Sequence, residues 1–284
     1  MKIQELIHFG KKKLESNSGV SFLEAEILLA HILQSNREYL FANPEEKVKK
    51  NAVSEFKKLV EKRRLGKPIA YITGRQEFFG HNIMVNKNVL IPRPETEEVV
   101  ENAISENLKS KCNLFVDVGT GSGCIAIALA KSERDTQIMA MEHCKKAIKV
   151  AKQNIENHQL TKQILLIESD LFSKFPKKEY KTKKIIIANL PYIGTESNNF
   201  IADEVKKNEP KKALFGGKDG LELYEKLLMQ IVKKDITFQA MFFEIGFSQT
   251  EEIEKIIKTH LPKTQIKILT DMAGFPRTVK ITPK

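Results

Sequence analysis

Cysteine is scarce in this chain. Three residues in 284, at positions 112, 124 and 144, show neither an even count nor the paired spacing of a metal site. That argues against a disulfide framework and a zinc ligand set, and suits a reducing compartment. Arginine is scarce too, supplying only seven of the 47 basic residues. The net charge of +11 raises the question of a nucleic-acid partner, because basic side chains gain affinity by releasing phosphate counterions. Yet the lysines are scattered through every segment, and no basic stripe interleaves with aromatics. A solvated, lysine-rich surface explains the charge at least as well, so a nucleic-acid partner is neither expected nor excluded. Also missing is any apolar run as long as a membrane span. The opening "MKIQELIHFGKKKLES" lacks the uninterrupted apolar core of a secretory leader. A cytoplasmic protein with no membrane partner is expected. No internal repeat and no low-complexity segment is present. What remains is ordinary for a globular protein, 41% hydrophobic and 29% charged, in a chain long enough for one large or two unequal domains.

Residues 1–75 read as helical. "SFLEAEILLAHIL" (21–33) opens with a capping-box pattern, Ser21 to Glu24, followed by apolar Phe22, Ala25, Leu29 and Ile32 at helical spacing. "EEKVKKNAVSEFKKLVEKRRLG" (45–66) predicts a second amphipathic helix, with Val48, Val53, Phe56 and Val60 on one face and Gly66 as the stop. No polar constellation here suggests chemistry, so the region is expected to bind or position a partner. Residues 76–110 change character. Gly80-His81-Asn82 separates two short apolar runs, a hairpin pattern, and "IPRPETEEVVENAI" opens a helix with acids in its first turns. From 111 to 284 strands and helices alternate. "NLFVDVG", "QIMAME", "QILLIESD", "KIIIANLPY" and "QAMFFEIG" read as strands buried on both faces, hence a parallel sheet covered by helices. "TQIKILTD" and "RTVKITPK" can close it as an antiparallel pair.

The strand ends carry the chemistry. "DVGTGSG" places Gly119, Gly121 and Gly123 at alternate positions after the first strand, with Thr120 and Ser122 between them. Such glycines let backbone N–H groups approach a ligand at a helix N-terminus. Glu142 ends the second strand 19 residues after Gly123, where an acid can hold ribose hydroxyls. The spacing is not that of a dinucleotide fingerprint, and no basic residue is aimed at a pyrophosphate. Asp117, just before the loop, could receive an ammonium group. Acids at two strand ends fit a nucleoside carrying an amino acid, which is S-adenosylmethionine. Asp170, ending the third strand, would reach the adenine amine while Leu171 packs the ring. Asn189 ends the fourth.

A cofactor lying across those ends would turn its methyl group toward Asn189 and Tyr192. A planar NH2 is a poor nucleophile because its lone pair is delocalised. Hydrogen bonds from its two N–H groups to the Asn189 oxygen and the Leu190 carbonyl would hold it and favour the developing charge. Pro191 biases Leu190 toward an extended backbone, and Tyr192 can stack on the flat group. An adenine, a cytosine or a carboxamide would serve equally as target.

The blocks "RRLGKPIAYITGRQEFFG…VLIPRPETEEVVE", "DVGTGSG", "ANLPYI", "EPKKALFGGKDGLELY" and "DMAGFPR" together resemble the release factor glutamine methyltransferases of the HemK/PrmC type, in order, from about residue 20 to 280. That resemblance implies a Rossmann-like class I methyltransferase domain with a mostly parallel seven-stranded sheet (111–284), an N-terminal helical bundle that recognises substrate (1–75) and a β-hairpin linker with its following helix (76–110). It implies S-adenosylmethionine bound by Gly119 to Gly123 and Glu142, with Leu171 beside the adenine, and a substrate glutamine held by Asn189, Leu190, Pro191 and Tyr192. The implied partners are class 1 peptide chain release factors, methylated at the Gln of Gly-Gly-Gln by a monomeric enzyme. Two positions depart from the family pattern. Leu190 replaces a proline, as in ribosomal RNA adenine dimethyltransferases, and Glu142 replaces an aspartate. An N6-adenine methyltransferase is therefore the alternative. A non-catalytic binding module is a third reading, but it would be expected to show a broken loop or a missing Asn189.

Overall fold

The computed structural model describes residues 1–15, 19–195 and 202–284. The chain divides into two compact units, Met1–Arg75 with Ala202–Asn208, and Gln76–Ile201 with Glu209–Lys284. The first unit holds α1 (Ile3–Leu14), α2 (Ser21–Leu33), α3 (Arg37–Ala42), α4 (Lys50–Arg64) and α5 (Ile69–Thr73), joined by a later segment at Asp203–Asn208, the ninth helix in chain order. The sequence boundaries had assigned that later segment to the third region. Ile3, Leu6, Leu28, Leu29, Phe56 and Val60 form the core, each contributing roughly 1.5–3 kcal/mol by burial. A Cβ at Gly10 would lie 2.7 Å from that of Ala25 and 3.0 Å from the Phe56 ring, so a bare backbone lets α1 close on its neighbours.

Two helix starts differ from the sequence reading. The capping box is not formed: Val20 is the N-cap of α2, and Ser21 is already helical. Glu24 instead accepts from Arg63 Nε at 2.9 Å, and Arg63 also donates to Glu204 at 2.6 Å. A guanidinium that is nearly buried needs a carboxylate more than a surface turn needs a cap. Helix α4 starts at Lys50 rather than 45, because the preceding residues run extended, with Lys47 bridging to Lys2.

The second unit opens with the hairpin β1 (Arg75–Phe78) and β2 (His81–Met84), then α6 (Glu95–Ser110). The alternating part follows: β3 (Leu114–Val118), α7 (Cys124–Ser132), β4 (Gln137–Glu142), α8 (Lys145–Asn157), β5 (Ile164–Glu168) and β6 (Lys184–Ala188). After α9 (Asp203–Asn208) and the short α10 (Lys211–Leu214) come α11 (Glu222–Lys233), β7 (Ala240–Glu244), α12 (Thr250–His260), β8 (Thr264–Thr270) and β9 (Pro276–Pro283). The seven-stranded sheet has the order β5-β4-β3-β6-β7-β9-β8. Its first five strands are parallel, and β9 is antiparallel to both β7 and β8.

Burial follows position in the sheet. Every residue of β3, β6 and β7 is buried, whereas β5, at the edge, exposes Leu165. The chain winds outward from β3 to β5 and then returns to β6 on the other side of β3. That reversal opens a crevice beyond the carboxyl ends of β3 and β6, the place where open α/β sheets bind ligands.

Candidate active site

A cavity of about 580 Å³ fills that crevice, bounded by Gly119–Ser122, Glu142, Asp170, Leu171 and Asn189–Pro191, with Val89, Leu90, Pro92, Arg93 and Thr96 on a further side. Its size suits a nucleoside-sized ligand. Exposed Lys87, Lys145, Lys146, Lys211 and Lys212 border it, so the rim is more basic than the sequence suggested. Arg93 also borders it and is paired with buried Glu209, which in turn accepts from the Ile91 backbone N–H at 3.0 Å.

The glycine turn is built as the loop pattern requires. Gly119, Gly121 and Gly123 all have positive φ, at 78°, 57° and 84°. Glu142 braces it: one carboxylate oxygen accepts from Gly121 N–H at 3.0 Å, the other from His143 and Cys144 N–H at 2.8 and 2.7 Å. Asn154, on α8, supports it from behind. Its Nδ2 donates to the Ser122 and Met84 carbonyls, while its Oδ1 accepts from Met84 N–H at 2.9 Å. Nothing in the local sequence marked Asn154, because its partners lie on other elements.

Two expected ligand contacts are placed differently. Asp117 is the fourth residue of β3, not its end. Its side chain is fully buried beneath the loop and accepts from the Thr120 hydroxyl, so it does not border the cavity. Burial pushes the Asp117 carboxyl up to about 7, and among the described residues its Oδ1 has no hydrogen-bond partner. Tyr192 is also off this cavity wall. Its ring packs on the core and its hydroxyl donates to Glu244 at 3.2 Å. Asp170 does border the cavity, but with one oxygen taken by Lys226 at 2.6 Å. Leu171 is buried at the wall with φ +49°.

The turn after β6 is held on every side. Asn189 Nδ2 donates to Thr96 Oγ1 at 3.0 Å and to Glu244 Oε2 at 2.9 Å, and among the described residues its Oδ1 has no donor. Leu190 N–H donates to the Tyr224 hydroxyl at 3.1 Å, and the Leu190 side chain is buried against Gly119. The segment "LFGG" (214–217) packs edge-on: Ile193 N–H donates to the Leu214 carbonyl, and Gly216 N–H to that of Ile193. Glutamine 249 completes the clamp through the Tyr192 carbonyl at 2.7 Å.

Sequence reading missed Glu244, Thr96 and Tyr224. Glu244 was detectable, since it ends a fifth parallel strand just as Glu142 ends the second. Burial raises the Glu244 carboxyl above the usual range. Cys124, at the cavity wall, is pushed up to about 12 by burial and so offers no thiolate. Among the described residues no group of His, Cys, Asp and Glu could hold a metal ion, and no helix is long and apolar enough to cross a membrane.

The Leu190 position makes a prediction. Proline there keeps the carbonyl but removes the N–H that Tyr224 accepts, so Leu190→Pro should cost about 1 kcal/mol of stability. Urea unfolding at fixed pH measures it; an unchanged midpoint would mean that the bond contributes nothing.

Two family models match the chain: the PrmC N-terminal domain over residues 5–74 and the Methyltransferase small domain over residues 100–215. A release factor glutamine methyltransferase of Bacillus cereus is 31% identical over 282 residues, covering 98% of each chain. Another, of Bacillus subtilis, is 36% identical over 264 residues, covering 90% of this chain and 89% of the relative. Among solved structures, the hMettl16 catalytic domain in complex with MAT2A 3'UTR hairpin 1 superposes with a TM-score of 0.56 over 90% of each chain, at 13% identity, which is a likeness of fold alone.

Proposed function

The chain belongs to the release factor glutamine methyltransferase family, and from that premise we propose how its own residues perform the transfer. It is an S-adenosylmethionine-dependent enzyme that methylates a glutamine side chain of peptide chain release factors at N5. In our reading the target is the Gln of the Gly-Gly-Gln motif in class 1 factors. The observation that carries the reading is the juxtaposition, in one cavity, of a glycine turn braced by Glu142 with an asparagine whose amide oxygen has no donor among the described residues.

The residues present fit the cofactor. The glycine turn leaves a side-chain-free face at the helix N-terminus, and the Asp117 oxygen beneath it, without a partner among the described residues, would answer an ammonium group if the turn shifted. Glu142 would take the ribose hydroxyls, and Asp170 with Leu171 the adenine. When bound, S-adenosylmethionine supplies an electrophilic methyl group on a cationic sulfur. Asn189 Oδ1 and the Leu190 carbonyl would accept the two amide N–H groups of the substrate glutamine. That fixes the nitrogen and stabilises the positive charge it gains, an effect that is strong in a preorganised, water-poor site. Pro191 and Tyr192 keep the turn in shape.

Glu142 carries a prediction. Its carboxylate already serves three backbone N–H groups, and Glu142→Gln would set an NH2 against one of them. Charge-assisted bonds contribute roughly 1.5–3 kcal/mol each, so S-adenosylmethionine should bind at least about tenfold more weakly. Calorimetry reads this directly, and unchanged affinity would remove Glu142 from the ribose site.

Residues 1–75 are proposed to bind the body of the release factor, since a glutamine side chain offers too little surface for selection. The enzyme is proposed to act as a cytoplasmic monomer. The experiment supplies labelled S-adenosylmethionine with an intact release factor, a short Gly-Gly-Gln peptide and ribosomal RNA in parallel. Label should enter the intact factor fastest and the RNA not at all. Labelled RNA beside an unlabelled factor would give the alternative adenine reading its place.

A further inference from the structure

An amide has two ends of nearly the same shape, and only one of them can accept a hydrogen bond. For Asn189 the difference decides whether a substrate NH2 meets an acceptor or a second donor. We propose that Glu244 is a positioning residue that locks the Asn189 amide with its oxygen toward the substrate. The inference rests on the methyl-transfer reading above and assigns a residue that acts through Asn189.

The argument runs through proton ownership. Glu244 ends β7 as a residue only 1% exposed, and its Oε2 lies 2.9 Å from Asn189 Nδ2. The same oxygen accepts the Thr96 hydroxyl at 2.7 Å. With its proton committed there, Thr96 Oγ1 can only accept from Asn189, which it does at 3.0 Å. Both neighbours of the Asn189 nitrogen are therefore acceptors because of one carboxylate. A flipped amide would set oxygen against oxygen at two contacts, away from bulk water, where such mismatches are costly.

The backbone of Glu244 contributes as well. Its carbonyl accepts the Tyr224 hydroxyl, which leaves that hydroxyl's lone pair for the Leu190 N–H. The peptide carrying the second proposed acceptor is thereby tied to the same residue. Tyr192 donates to the remaining carboxylate oxygen at 3.2 Å. One strand-end glutamate thus sets the direction of both groups that would receive the substrate amide.

The test separates acceptor from charge. Glu244→Gln can still present an oxygen to Asn189 and Thr96, while its NH2 donates to Tyr192; Glu244→Met fills similar space with no acceptor. With a release factor as substrate, Glu244→Met should lower kcat about 10²-fold with KM changed little, and Glu244→Gln should keep most of the rate. In an Asn189→Ala background Glu244→Met should cost nothing more, because the group it orients is gone. Calorimetric affinity for S-adenosylhomocysteine reports that each variant is folded. A full additional loss in the Asn189→Ala background, or a collapse in Glu244→Gln equal to that of Glu244→Met, would overturn the proposal. A second measurement does not depend on the substrate. The side-chain NH2 protons of Asn189 should exchange slowly with solvent in the wild-type protein and in Glu244→Gln, and rapidly in Glu244→Met. Rapid exchange in the wild type would refute the lock whatever is methylated. A wild type that leaves release factors unlabelled, with the NH2 still protected, would instead count against the substrate assignment alone.

Discussion

Asn189→Ala is expected to lower the rate of methyl transfer to a release factor by about 10²–10³, the usual loss when one preorganised hydrogen bond to the reacting group is removed. The loss should fall on kcat. Asn189 closes β6 at the cavity, its nitrogen is spent on Thr96 and Glu244, and its oxygen remains for the substrate. Truncation removes that oxygen and also leaves the buried Glu244 and Thr96 short of a donor. Some destabilisation should therefore accompany the kinetic effect, about 1–3 kcal/mol. Cofactor affinity should change far less, since the glycine turn and Glu142 are untouched. Single-turnover rates beside calorimetry decide it. Equal loss in both would make Asn189 a cofactor ligand rather than a holder of substrate.

Gly216→Ala should be nearly as damaging without touching the chemistry directly. A Cβ on Gly216 would stand 1.9 Å from the Pro191 carbonyl oxygen and 2.7 Å from that of Gly220, both of them backbone. Neither can rotate away as a side chain would. One of the two strands of chain must move, and both belong to the clamp around Asn189–Tyr192. Overpacking of this kind costs typically about 1–3 kcal/mol, and here the displaced atom adjoins the proposed acceptors. A shift near 1 Å in a positioning element can cost about 10²-fold in rate. The expected result is a folded protein with near-normal S-adenosylhomocysteine affinity and strongly reduced turnover. Turnover within a factor of two or three of wild type would show that the clamp has slack.

The parts legible in the sequence were those with a local signature. Glycines at alternate positions announce a turn with positive φ. The alternation of apolar strands with helices announces the sheet, and the strand ends point to the crevice. Residues whose meaning depends on a distant partner were hidden. Thr96 and Glu244 meet across the fold; the strand-end place of Glu244 could be read locally, but no window of sequence shows that the two side chains meet. Tyr224, on α11, carries no local mark of its role either. Its hydroxyl turned out to serve two backbones. The capping pattern at Ser21 failed for the same reason, because a distant guanidinium outbid the local bond. Asp117 was read as a strand terminus when it lies one residue inside, and a single step in a strand turns a side chain to the opposite face.

The packing of Leu190 against Gly119 ties the two halves of the site into one thermodynamic system. Whatever moves the glycine turn as a nucleoside settles must also press on the segment that receives the substrate. Linkage then requires the influence to run both ways, with each partner altering the other's affinity by the same factor. A larger residue at 119 or a smaller one at 190 would change that factor, even if each ligand alone bound as before. The order in which donor and acceptor arrive, and how readily the spent donor leaves, would then be set partly by the volume of one leucine side chain.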